Sequence, residues 1–189
     1  MPERPTPSQD DHEDLLLSCR YGDLQDIQDF ITKFGPDVIS NIEDENGNTV
    51  LHMTCGNGHI DVLECLLPLV SPSLLSKQNS SGSTPLHWAA LNKHFNIAQK
   101  IVQFPKGPGI DLIDIKNTAG RSPLGEAEMA EWEDGAKWFV QVMKIDEPKE
   151  EEDIPMEHSQ AVEVEIEDAE GQVAKMTIND SEMSKEQHT

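Results

Sequence analysis

Apolar positions between residues 46 and 102 come in short paired bursts rather than in one long stripe. In "NGNTVLHMTCGNGHIDVLECLL" (46–67), one burst around Leu51 stops at Gly58. A second, Val62, Leu63, Leu66 and Leu67, follows at helical spacing. The arrangement returns in "SGSTPLHWAALNKHFNIAQKIV" (81–102) at an offset of 35. Gly47 falls on Gly82, Thr49 on Thr84, Leu51-His52 on Leu86-His87, Asn57 on Asn92 and His59 on His94. Upstream, "LLLSCRYGDLQDIQDFI" repeats it at an offset of 36, with Cys19 on Cys55 and Gly22 on Gly58. Downstream, "AGRSPLGEAEMAEWEDGAKWFV" repeats it at 38, with Gly120 on Gly82 and Leu124 on Leu86. Two copies are clear and two degenerate, with boundaries near 12–45, 46–80, 81–118 and 119–143.

Each clear copy has the same local physics. The Asn-Gly or Ser-Gly pair makes a tight turn, because glycine tolerates positive φ. Thr49 and Thr84 are placed to cap a short helix, and Pro85 suits a first helical turn, where its missing N–H costs nothing. Leu86, Ala89 and Ala90 form a slim apolar face against which another helix can pack closely. Gly58 ends the first helix, and a second begins near Ile60. Neither helix buries its face alone, so the copies must stack. The run Thr84-Pro85-Leu86-His87-Trp88-Ala89 resembles the T-P-L-H-x-A motif of the ankyrin-repeat family, over roughly residues 12 to 143. The resemblance implies an all-α solenoid of about four helix-turn-helix repeats, with turn fingers and a concave binding face. Lys93 stands where Gly58 does, which implies a strained turn, and Gly125 stands where His52 and His87 do, as in a closing cap. "QFPKGPGIDLIDIKN" is a longer connection on the finger side.

Charge adds a direction to this scaffold. The 189 residues carry 36 acidic and 14 basic side chains, a formal net charge of -22, which repels nucleic acid and anionic membranes and attracts basic partners. Residues 144–189 hold 15 acidic and 4 basic groups, a tail expected to be largely disordered. Within it, the alternation of Val162, Val164 and Ile166 followed by Val173, Met176 and Ile178 is also the pattern of a weak β-hairpin over 161–178. Residues 1–11 are expected to be disordered. Three cysteines without framework spacing point to a reducing compartment, and the first residues lack a signal-peptide pattern. No apolar stretch is long enough for a membrane span.

Candidate chemistry is thin. His52 and His87 lie in different repeats beside capping threonines, which favours hydrogen bonds to turn backbone over metal ligation. Cys19, Cys55 and Cys65 read as small buried apolar residues, and no nucleophile elbow or phosphate loop is present. Glu126, Glu128, Glu131, Glu133 and Asp134 read as a solvated cap. We therefore expect no enzyme activity, no metal and no cofactor. In the ankyrin family the residue after the Leu-His pair projects onto the concave face, as do residues three and four further on. Here those positions include Leu17, Tyr21, Met53, Asn57, Trp88, Leu91 and Asn92. They form a candidate partner-binding stripe, although Trp88 could instead fill space between repeats. Asp23 and Asp26, with Glu43, Asp44 and Glu45 on the second finger, are candidate electrostatic lures for a basic helix.

The segments "LLLSCRYGDL", "VLHMTCGNGHID" and "PLHWAALN", with the acidic tail, are similar to a narrower group. That group is the small fungal ankyrin-repeat chaperone dedicated to one KH-domain protein of the small ribosomal subunit. The resemblance implies capture of a newly made basic ribosomal protein until its assembly, in cytoplasm and nucleus, by a chain monomeric on its own. Met53, Asn57, Trp88 and Asn92 would then carry the partner contacts. A generic ankyrin adaptor bridging folded proteins is the competing reading.

Overall fold

Each copy begins at a capped turn and folds back on itself as two short helices. The computed structural model describes residues 4–146, 163–167 and 173–177. The helix pairs are α1 (Gln9–Tyr21) with α2 (Leu24–Phe34), α3 (Val50–Asn57) with α4 (Ile60–Leu66), α5 (Pro85–Leu91) with α6 (Phe95–Val102), and α8 (Pro123–Met129) with α9 (Glu133–Asp146). A four-residue α7 (Asp111–Asp114) lies before the last pair. Helix α1 starts earlier than expected from a disordered segment 1–11. Ser8 and Asp11 form a reciprocal capping box, Ser8 N–H donating to Asp11 Oδ2 at 2.9 Å, which fixes the entry at Gln9. Residues 1–3 lie outside the described residues.

Successive first helices, α1, α3, α5 and α8, pack side by side, with α2, α4 and α6 as a second layer behind them. Small residues permit the close approach: Cys19, Cys55, Ala89 and Ala90 are all fully buried. Leu51, Leu63, Leu66, Leu86, Ile97 and Ile101 fill the space between layers, each burial contributing about 2 kcal/mol. At the far end Phe95, Trp132, Trp138 and Phe139 meet edge-on or tilted, with centroids 5.2–6.1 Å apart, and close the core. The long connection after α6 is ordered by α7, whose Leu112 and Ile113 are buried. Pro36–Asn41 and Pro72–Ser76 make equivalent 3₁₀ turns in the two preceding repeats.

The fingers repeat one hydrogen-bond pattern. Asp44 Oδ1 accepts from the N–H groups of Asn46 and Asn48, Asn79 Oδ1 from those of Ser81 and Ser83, and Asn117 Oδ1 from those of Ala119 and Arg121. Backbone bonds then join finger to finger: Ser80 N–H donates to Asn46 O at 2.8 Å and Thr118 N–H to Ser81 O at 3.0 Å.

Imidazoles hold neighbouring repeats together. His52 Nδ1 accepts from the Thr49 N–H at 3.2 Å, while its Nε2 donates to Ser83 O of the next repeat at 2.9 Å. His87 does the same, with Thr84 at 3.1 Å and Arg121 O at 3.0 Å. His59 and His94 reach the other way, to Arg20 O at 2.9 Å and Gly56 O at 3.2 Å. The middle junction thus has two such links, and each outer junction has one. His94 also accounts for Gly58. At φ 81° that residue is left-handed, and a Cβ there would lie 2.7 Å from the imidazole. Position 132 is Trp rather than His, so Lys93 keeps a side chain, at φ 62°. This is the strained turn expected from the sequence.

In the separate C-terminal unit, strands β1 (Glu163–Glu167) and β2 (Val173–Thr177) pair antiparallel, Glu163 opposite Thr177 and Glu167 opposite Val173. They lie within the span given to the hairpin; the disorder expected of the remaining tail concerns residues outside those described.

Two outcomes follow from this scaffold. Burial pushes the His52 imidazole down to about 4 and lowers that of His87, in each case against a favourable carbonyl hydrogen bond. A folded-state value below the unfolded one means stability is complete above about pH 6.5 and falls as pH drops toward 4. The full loss from His52 is on the order of 3 kcal/mol. Urea melts at pH 7.5, 6 and 5, where most carboxylates stay charged, should show a midpoint falling below pH 6.5; a flat profile would contradict it. Lys93→Gly removes a left-handed penalty at the cost of chain entropy and should stabilise by about 0.5–1 kcal/mol, raising the melting temperature about 2–3 °C.

Candidate partner-binding face

A helix brings positions i, i+3 and i+4 onto one side. On α5 and its C-cap these are Trp88, Leu91 and Asn92; on α3, Met53, Gly56 and Asn57; on α1, Leu17, Arg20 and Tyr21. Because α1, α3 and α5 run side by side, the three sets form adjacent rows. Their exposure is uneven. Leu17 (46%), Leu91 (51%) and Tyr21 (73%) stand out in solvent, whereas Met53 and Trp88 are half-buried.

Both readings of Trp88 hold in part. Its indole lies on the backbone of Gly56, where a Cβ would come 2.6 Å from Cε3. It also meets the His52 ring edge-on at 5.6 Å. Trp88 therefore fills the step between repeats 2 and 3 and still shows part of its surface. The role of Gly56 was not legible beforehand, since glycine in a helix carries no signal of what lies on it.

The asparagines add a polar element with a defined sense. Asn57 Nδ2 donates to Met53 O at 2.7 Å, and Asn92 Nδ2 donates to Trp88 O at 2.9 Å. Each amide is thereby oriented with its Oδ1 acceptor away from its own helix. An apolar step flanked by two such acceptors suits a partner bringing N–H donors or cations beside an apolar side chain.

The proposed electrostatic lures divide. Asp26 is exposed, and Asp23 caps α2 through a 3.4 Å bond from the Asp26 N–H. Asp44 is not a free charge: its carboxylate accepts from Asn46, Asn48 and the Asn48 side chain, and so builds the finger. Glu43 and Glu45 are both exposed, and Glu43 pairs with Lys77 at 3.1 Å. Glu126 departs furthest from the solvated cap expected of it. It is buried, held by Arg121 Nε at 2.9 Å and Asn117 Nδ2 at 2.7 Å, because the fourth finger folds back over it.

Among the described residues, no three His, Cys, Asp or Glu side chains gather where a metal could be held. Burial pushes the Cys19 thiol up to about 12 and raises those of Cys55 and Cys65, so none is a ready thiolate. Cys65 is half-buried rather than fully buried.

Known proteins place this geometry. The family profile described as ankyrin repeats (three copies) matches residues 15–114. The ankyrin repeat-containing protein YAR1 of Saccharomyces cerevisiae is 28% identical over 167 residues, covering 82% of this chain and 81% of the relative. An ankyrin repeat-containing protein of Schizosaccharomyces pombe is 38% identical over 119 residues, 63% of this chain and 77% of its own. A crystal structure of the yeast ribosomal protein Rps3 in complex with its chaperone Yar1 superposes with a TM-score of 0.66 at 28% identity, covering 72% of this chain and 95% of the matched one. With the profile spanning more than half of its length and the repeat geometry described above, this chain belongs to the ankyrin-repeat family.

Proposed function

We propose that this protein is a dedicated chaperone for a basic KH-domain protein of the small ribosomal subunit, binding the client as it is made and keeping it soluble until it joins a pre-ribosome. The observation that carries the reading is the near full-length similarity to YAR1, a relative whose solved counterpart is a chaperone in complex with Rps3. The net charge of -22 supports it, since a newly made ribosomal protein is cationic and would otherwise meet RNA first. On this reading the client lies across the face of Met53, Asn57, Trp88 and Asn92. Its apolar side chains pack on the indole, and its Lys and Arg groups meet the asparagine oxygens. The work is binding, without catalysis or cofactor, and takes place in cytoplasm and nucleus, where such a client is made and assembled.

The test is direct. Equimolar protein should suppress aggregation of a purified KH-domain small-subunit protein, with binding that weakens steeply between low and moderate salt. Trp88→Ala should cost about 2 kcal/mol of binding, roughly thirtyfold, measured well below its melting temperature because losing the ring also loosens the step between repeats 2 and 3. Gly56→Val should do comparable harm by pushing the indole off its seat. Capture of folded signalling proteins instead, equally at both salts, would replace the chaperone reading with the adaptor.

A further inference from the structure

Repeat 1 has α3 on one flank of α1, and its two helices leave between them a groove of about 560 Å³ that no residue of another repeat lines. Its floor is apolar: Leu15, Phe30 and Phe34, each under a tenth exposed. Leu17 and Tyr21 stand at its rim, the latter 73% exposed. Around this floor are the carboxylates of Asp11, Asp14, Asp23, Asp26 and Asp29, against one cation, Lys33. The end of a solenoid is ordinarily sealed by polar side chains over its last apolar layer. Here, among the described residues, a furrow with an aromatic floor is left open.

Lys33 shows what the groove favours. Its Nζ sits 4.4 Å from the centre of the Phe34 ring and 3.2 Å from Asp11 Oδ1, an ammonium held by a ring face and a carboxylate together. Among the described residues no cation reaches Asp14, Asp23, Asp26 or Asp29, so the same chemistry is unfilled along the rest of the furrow. Charge selects the occupant. A second copy of this chain carries the same -22, and its own tail holds 15 acids to 4 bases, so both are repelled, as are nucleic acid and anionic lipid. What fits is a helix with apolar residues along one side and Lys or Arg beside them.

We propose that the α1–α2 groove is a second docking site, across the Leu17–Tyr21 row from the Met53–Trp88 step, for a basic amphipathic helix of the same client. The identity of that helix's owner rests on the chaperone reading; the groove's preference for a cationic helix does not. Held at two places, the client would gain from the high effective concentration of the second segment once the first is bound.

The experiment uses the full chain and a fluorescently labelled synthetic helix of leucines and lysines at helical spacing, followed by anisotropy. Asp14→Asn with Asp26→Asn, both exposed and outside the core, should weaken the peptide about tenfold and flatten its salt dependence. The thermal midpoint should stay in place. Trp88→Ala should weaken the peptide much less than the aspartate pair does. A leucine–glutamate helix should not bind. Loss with Trp88→Ala and none with the aspartate pair would put the peptide on the other face and overturn the proposal, while leaving the chaperone reading standing. Peptide binding to the groove with no capture of any KH-domain client would do the reverse. Self-association in sedimentation that the two asparagines strengthen would make a second copy the occupant and overturn it as well.

Discussion

A pair of helices seven to fourteen residues long cannot bury both of its faces, and the organisation of this chain follows from that shortage. Stacking answers it, but stacking alone is a non-directional preference for apolar contact. Register comes from the imidazoles, each of which joins its own turn to a carbonyl one repeat away. Such a bond forms only if the two repeats are in step, and in His52 and His87 the Nδ1 that accepts from the turn's own N–H must also stay unprotonated. A slip would leave a buried ring nitrogen and a buried carbonyl without partners, which costs more than the bond contributes. No buried polar side chain among the described residues lacks a partner, which is what a correctly registered stack requires.

The same geometry prepares the partner-facing side. Packing the first helices closely needs small residues between them, and Gly56 is the smallest. Its bare backbone lets Trp88 lie down across the step, half inside the stack and half outside. The exposed part of the ring is therefore rigid before any partner arrives, so little side-chain entropy remains to be lost on binding. The asparagines one turn further on are fixed in the same way, by bonds back to their own helices.

Fold and fingers were legible because they depend on spacing. The offsets of 35, 36 and 38, the capping threonines and the left-handed glycines are local rules that the sequence writes openly. The acidic residues were less so. Glu43, Asp44 and Glu45 look alike in a row, yet Glu43 pairs with Lys77 at the surface while Asp44 builds the turn, and only the fold of the finger distinguishes them. Glu126 was hidden for a related reason: its partners Asn117 and Arg121 come from the finger before it, a turn whose path sequence spacing does not fix. Phe30 and Phe34 carry no sign of a groove in the sequence, and their place in its floor depends on how α1 and α2 pack together.

The distribution of the imidazole links also sets where this architecture could grow. Leu16 stands at the position of His52 in the first repeat and Gly125 in the last, so neither terminal repeat sends that forward link to a further neighbour. At the junction of repeats 2 and 3, by contrast, donors and acceptors run both ways. A duplicated middle copy spliced near residue 80 would find its partners waiting on either side, whereas one appended beyond α9 would meet a closed aromatic wall. An inserted repeat should therefore be accommodated at the centre of the stack more readily than beyond α9.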